Sequence, residues 1–160
     1  LTRAKFTYDF GDTAGMTPLM PMHSLGHTFV PAPIHAGGLR YHGVAPLVSR
    51  LVQDDLVEAQ AFDQLSCYAA SVQWARTEGF VSAPETSHAL AAVVAEAEKA
   101  KEEGKERVIL FNWSGHGLMD LVGYDKYFQG ELSDYALPDE DLDRFAKSMS
   151  QFPTPGSVSP

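Results

Sequence analysis

The chain has 160 residues, 44% of them hydrophobic and 21% charged, with a formal net charge of −9. That length holds one domain with a real core, and the acidic excess disfavours a nucleic-acid surface, which needs clustered Lys and Arg. No apolar run approaches the ~20 residues that cross a bilayer, no signal-peptide pattern is present, and a single cysteine, Cys67, cannot close an internal disulfide; the expectation is a cytoplasmic protein with no membrane and no nucleic-acid partner.

Leu1 stands where Met would open a reading frame, in what reads as ordered sequence, so a piece of something longer is expected. Residues 5–10 alternate loosely as KFTYDF and predict a strand, followed by a turn at Gly11-Asp12. From 13 to 43 the chain is dense in Gly, Pro and His with no helical period, the mark of a functional irregular segment. Residues 44–56 place Val44, Leu47, Val48, Leu51, Val52 and Leu56 at helical spacing. A short strand is predicted at 57–62, then a helix at 63–77 with Leu65, Tyr68, Ala69, Val72, Ala75 and Arg76 inward and Gly79 as its C-cap.

Ser82-Ala83-Pro84-Glu85 predicts the start of the best helix in the chain. Ser82 and Glu85 have capping-box spacing, and Pro84 suits the first turn. Ala89, Leu90, Val93, Val94 and Ala97 form its apolar face, and Gly104 closes a charged end. Val108 to Phe111 is a four-residue apolar run and predicts a strand buried in a parallel sheet. A helix or loop follows at 118–132, and an amphipathic helix at 139–149 turns Leu142, Phe145 and Met149 inward. The organisation expected is α/β, a parallel sheet flanked by helices, in one domain over 1–150 with a flexible Pro/Ser-rich tail at 151–160.

The apolar run at 108–111 leads directly into Ser114-Gly115-His116-Gly117. Small polar groups after a strand are where open α/β sheets hold ligands; the alternative is a tight turn in which Ser114 only caps a helix. Glu85 has two readings as well, a capping carboxylate or a charge beside a ligand at a helix start. The histidines do not read as a metal centre. His23 and His27 lie four apart, but Pro21 and Gly26 disfavour the helix such a pair needs, and no third ligand stands out. Cys67 reads as a small buried hydrophobe.

Four stretches in order, YDFGDTAG (8–15), HAGGLRYHG (35–43), TEGFVSAPETSHAL (77–90) and LFNWSGHG (110–117), resemble the carboxyl-terminal part of the tryptophan synthase β chain, and most its second, TrpB-like branch. The resemblance implies membership of the fold-type-II pyridoxal 5′-phosphate enzymes. It implies β-replacement chemistry that makes L-tryptophan from indole and a serine-type donor, O-phosphoserine among the candidates. By the same resemblance Glu85 is the catalytic glutamate near the cofactor ring, Ser114 meets the pyridine nitrogen, and Gly115 and Gly38 lie beside the cofactor. Arg40 takes the place of an aspartate that meets the substrate hydroxyl. Backbone carbonyls of Leu39, Tyr41 and Gly43 correspond to ligands of a monovalent cation, Na⁺ or K⁺.

The family's Schiff-base lysine and phosphate loop match nothing here, so the chain alone is expected to be inactive. The remainder of the β-like chain is the implied partner, within a homodimer, and an α-type subunit is left open. The alternatives are another fold-type-II lyase, of the serine or threonine dehydratase or sulfhydrylase kind, or a non-catalytic assembly module.

Overall fold

A computed structural model describes residues 1–153, 155 and 156. The chain divides into two compact units: Leu1–Ala32 with Arg40–Ala61 and Ala136–Pro160, and Pro33–Leu39 with Phe62–Tyr135.

In the first unit, β1 (Lys5–Asp9) pairs antiparallel with β2 (Met20–Ser24), Lys5 opposite Ser24 and Asp9 opposite Met20. The alternation that predicts β1 is real, with Thr7 and Asp9 turned to the buried face. Asp9 is wholly buried, and its carboxylate is satisfied by four donors or near neighbours. It accepts from the Phe10 amide at 2.7 Å, Ser24 Oγ at 2.5 Å and His27 Nδ1 at 2.7 Å, while His42 Nε2 stands 3.9 Å away. Helix α1 (Pro46–Gln53) packs on β2 through Ser49, whose Oγ accepts the His23 amide at 2.9 Å. Its apolar residues are less covered than their spacing predicts, and Leu47 is 74% exposed.

Helix α5 (Asp139–Ser148) sets Phe145 edge-on to Phe29, and Met149 beyond it is buried. Gly26 sits at φ 98°, a backbone conformation that favours glycine, and a Cβ added there would make only ordinary contact with the Met149 sulfur. Of the expected tail, Phe152 packs edge-on against Phe10; residues 154 and 157–160 lie outside the described residues.

The second unit is helical. Helices α2 (Gln64–Glu78) and α3 (Pro84–Glu103) pack along each other, with Cys67, Ala70, Leu90 and Ala91 as the buried core and Phe62, Trp74, Val94 and Phe111 around it. Gly79 and Gly104 end the two helices at φ 78° and 63° as their sequence positions predict. The inward stripe of α2 is turned from the expected one: Cys67, Tyr68, Ala70 and Ser71 are buried, and Ala69 is exposed. Apolar periodicity does not select this face because three of its four positions carry a thiol or a hydroxyl. Helix α4 (Leu121–Gln129) brings Tyr124 and Tyr127 against Tyr68.

The parallel sheet expected from the sequence is not found among the described residues; the one sheet is the antiparallel pair β1–β2. Residues 57–62 are irregular. Residues 108–111 form no strand and pair with nothing among the described residues, and Val108 and Leu110 are 98% and 96% exposed rather than buried. A strand is defined by its neighbours' hydrogen bonds, and a parallel neighbour needs a long crossover connection. This chain supplies the apolar run without supplying such a neighbour.

Candidate functional site

In the second unit the chain passes the N-terminus of α3 three times. Residues 81–83 lie antiparallel to 115–117: the Ala83 amide donates to the Gly115 carbonyl at 3.0 Å, the Gly117 amide to Val81 at 2.8 Å, and Ser82 bridges His116. A Cβ on Gly117 would overlap the Ser82 carbonyl oxygen and stand 2.8 Å from Val81 Cγ1, so this approach requires glycine. The glycine turn is therefore clamped to the start of α3.

The third pass is the 3-10 turn Gly37–Leu39. Its Gly38 amide donates to Glu85 Oε1 at 2.8 Å. A Cβ on Gly38 would come within 3.2 Å of that side chain. The capping box is thus not formed. Ala83 is the N-cap residue and no side chain caps the helix. Glu85 reaches across to Gly38 instead, and Ser82 Oγ is drawn into a buried cluster of hydroxyls. Ser71 Oγ bonds to both Ser82 Oγ and Tyr124 Oη, the latter at 2.5 Å, and Tyr124 donates to the Ser82 carbonyl at 2.6 Å.

Ser114 lies at the exposed side of the same turn. Its amide donates to Thr86 Oγ1 at 3.2 Å and its Oγ stands 2.8 Å from the same atom. Thr86 is 1% exposed and gives the exposed Ser114 a buried anchor. Sequence reasoning missed Thr86. The signal was its place beside Glu85, one step round the helix toward the turn.

Glu85 also lines a cavity of about 240 Å³ with His35, Gly37, Pro84, Asp120 and Gly123. Gly38, Ser114 and Gly115 do not line it. Behind Gly123 the Tyr68 hydroxyl is buried with no hydrogen-bond partner among the described residues. Burial pushes this phenol above its ordinary range, and the neighbouring Tyr124, Asp120 and Glu85 add to the effect. Burial likewise pushes the Cys67 thiol up to about 12, which fits an inert core residue.

Of the other expected site residues, Arg40 belongs to the first unit and is exposed; its Nη2 donates to the Pro31 carbonyl at 3.4 Å. Asp12 accepts the amides of Met16 and Thr17. Leu39 closes the 3-10 turn in the second unit, while Tyr41 and Gly43 belong to the first, where Gly43 bridges Ser24. The described residues hold no cluster of three or more His, Cys, Asp or Glu able to bind a metal, and no helix is long and apolar enough to cross a membrane.

A carboxylate, an exposed serine and two glycine-bearing turns converge on the start of a 20-residue helix, and helix starts are places where small anionic ligands are commonly held. The comparisons narrow the class. The chain is 58% identical over 134 residues, 84% of its length, to tryptophan synthase beta chain 2 of Aquifex aeolicus. It is 60% identical over 124 residues to that of Thermotoga maritima and 56% identical over 132 residues to that of Methanosarcina mazei. No family model matches it. The chain is a homologue of part of the tryptophan synthase β chain, and it spans about 30% of the length of these curated relatives.

Proposed function

We propose that this chain supplies the carboxyl-terminal part of a pyridoxal-phosphate-dependent β-replacement enzyme that makes L-tryptophan from indole and a serine-type donor. The observation that carries the reading is the joint placement of Gly38, Glu85, Ser114 and Gly115 at the start of α3, in a chain whose relatives at 53–60% identity are tryptophan synthase β chains.

These residues fit the cofactor. When bound, pyridoxal phosphate supplies an electron sink for an amino acid's α-carbon. Ser114 is suited to hold the ring nitrogen: it is exposed, and its Oγ stands 2.8 Å from Thr86 Oγ1 in a bond for which either hydroxyl can be the donor. A neutral hydroxyl does not protonate that nitrogen as an aspartic acid would, so the sink stays moderate, which favours loss or exchange of a β-substituent over transamination. The absence of a side chain at Gly38 and Gly115 lets the backbone come close to a planar ring. Glu85 has one oxygen fixed by the Gly38 amide and the other without a hydrogen bond among the described residues, free to accept a proton or an N–H.

Arg40 carries the donor preference in this reading. Its guanidinium makes only the Pro31 contact among the described residues, so it is available to an anion, and a planar fork of donors suits a phosphate bidentately. Phosphate is also a better leaving group than hydroxide. The donor is therefore O-phosphoserine in preference to serine. Leu39, Tyr41 and Gly43 offer backbone carbonyls to a Na⁺ or K⁺ ion. The partner is the remainder of a β-type chain, in a homodimer.

The test is a chimera in which this chain replaces the 134 residues it matches in the A. aeolicus protein. With cofactor, indole and donor the chimera forms tryptophan, and the isolated chain does not exceed the free-cofactor background because it brings no matching lysine. Arg40→Asp lowers the ratio of kcat/KM for O-phosphoserine over serine. A cofactor-loaded chimera that releases pyruvate or ketobutyrate but no tryptophan would favour a dehydratase. A chimera that binds no cofactor would leave an assembly module.

A further inference from the structure

Arg40 is exposed, yet the residues that follow it run into a buried polar network of the first unit. The Leu25 amide donates to the His42 carbonyl at 2.9 Å, the Val44 amide donates to the His23 carbonyl at 3.0 Å, and Gly43 bridges Ser24. Residues 42–44 therefore lie antiparallel along the end of β2 as a short third pass. The His42 ring is 14% exposed, and its Nε2 donates to the Phe10 carbonyl at 2.8 Å. A single carboxylate holds the far side of both contacts. Asp9 Oδ1 accepts the Phe10 amide and His27 Nδ1, and Asp9 Oδ2 accepts the Ser24 hydroxyl.

The ladder from Lys5–Ser24 to Asp9–Met20 already joins β1 to β2. What the network adds is a fixed link from the end of β1 to the chain just after Arg40. A wholly buried carboxylate tolerates few arrangements, because each lost donor leaves charge unsolvated. The consequence for Arg40 is directional. A guanidinium pairs with a phosphate through two parallel N–H bonds, so its value depends on where the fork points. Its side chain makes only the 3.4 Å contact to the Pro31 carbonyl among the described residues. The aim therefore has to come from the backbone, which His42 fixes two residues further on.

We propose that His42, tied to the Phe10 carbonyl and backed by the buried Asp9 carboxylate, is the positioning residue that aims Arg40 at the phosphate of the amino acid donor. This rests on the reading of Arg40 given above and adds to it the residues that set its direction.

The experiment compares O-phosphoserine and serine as donors in the A. aeolicus chimera. His42→Leu removes the ring donor, and His42→Gln returns an N–H to the Phe10 carbonyl. His42→Leu lowers kcat/KM for O-phosphoserine about 10-fold, chiefly through KM, as when one hydrogen bond to a charged group fails. The value for serine, which offers the fork no phosphate, stays at that of the parent. His42→Gln restores the O-phosphoserine value. Asp9→Asn keeps the volume but sets an amide NH2 among the donors, and it moves the donor ratio the same way. A merely structural role lowers both donors together, so equal losses in His42→Leu overturn the proposal. So does a His42→Gln chimera no better than His42→Leu. Arg40→Asp separates the two claims. A donor ratio that Arg40→Asp shifts and His42→Leu does not leaves the reading of Arg40 standing and removes the positioning role. A ratio that Arg40→Asp leaves unmoved ends the reading of Arg40, and the positioning role with it.

Discussion

Gly117→Ala tests the clamp that holds the glycine turn to α3. A Cβ there would overlap the Ser82 carbonyl oxygen and press on Val81 Cγ1 at 2.8 Å and the Ser82 carbonyl carbon at 3.0 Å, two of them backbone atoms that cannot rotate away. The two strands of the clamp must part, which costs about 1–3 kcal/mol as overpacking. Parting them weakens the Gly117–Val81 and Ala83–Gly115 hydrogen bonds, each worth about 0.5–1.5 kcal/mol net. The expected loss is about 3 kcal/mol, a large share of the ~5–15 kcal/mol typical of a domain. Gly37→Ala is the control, since a Cβ there meets nothing within 4 Å and the residue lacks a positive φ. It should be neutral or stabilising by up to about 1 kcal/mol through the unfolded chain. Both tryptophans, Trp74 and Trp113, lie in the second unit, so urea unfolding followed by tryptophan fluorescence reports that unit alone. With a slope near ~2 kcal/mol per molar urea, Gly117→Ala should lower the midpoint by ~1.5 M. A midpoint within ~0.3 M of the parent, or no different from Gly37→Ala, would refute the clamp.

Ser114→Asp in the chimera should protonate the ring nitrogen and divert flux toward transamination, while Ser114→Ala should be milder because one neutral hydrogen bond is worth only about 0.5–1.5 kcal/mol; an unchanged product ratio and cofactor spectrum in Ser114→Asp would detach Ser114 from the ring. Ser71→Ala should destabilise the second unit by about 1–3 kcal/mol, since Ser82 and Tyr124 lose a buried partner, and fluorescence-monitored urea melts check it. Asp12 is held at about 2, below its usual 3.8, first by the Thr17 side chain and then by the backbone amides of Met16 and Thr17. A depressed carboxyl stabilises the fold above its unfolded value and loses that contribution as pH falls from 3.8 through about 2. Thr17→Val should move the Asp12 midpoint up toward 3.8 in a carboxyl-carbon NMR titration, and an unmoved midpoint would assign the shift to the amides alone.

Local signals in the sequence were enough for the helix from Pro84 to Glu103, the glycine ends at Gly79 and Gly104, the strand at Lys5–Asp9 and the helix at Asp139–Ser148, because periodicity and positive-φ glycines act over a few residues. Only the resemblance to the tryptophan synthase β chain pointed to Glu85, Ser114 and the glycine loops as a group. Tertiary structure decided what those residues touch. Spacing made Ser82 and Glu85 a capping pair, yet each found a stronger partner far along the chain: Ser82 in the Ser71–Tyr124 hydroxyl cluster, and Glu85 at the Gly38 amide, 47 residues away. Thr86 became the anchor of Ser114 only because the turn at 114–117 folds back onto residues 81–83. The run at 108–111 marks the other limit. Its composition specifies a strand that wants burial on both faces, but pairing is a property of two segments, and no composition of one can supply the other.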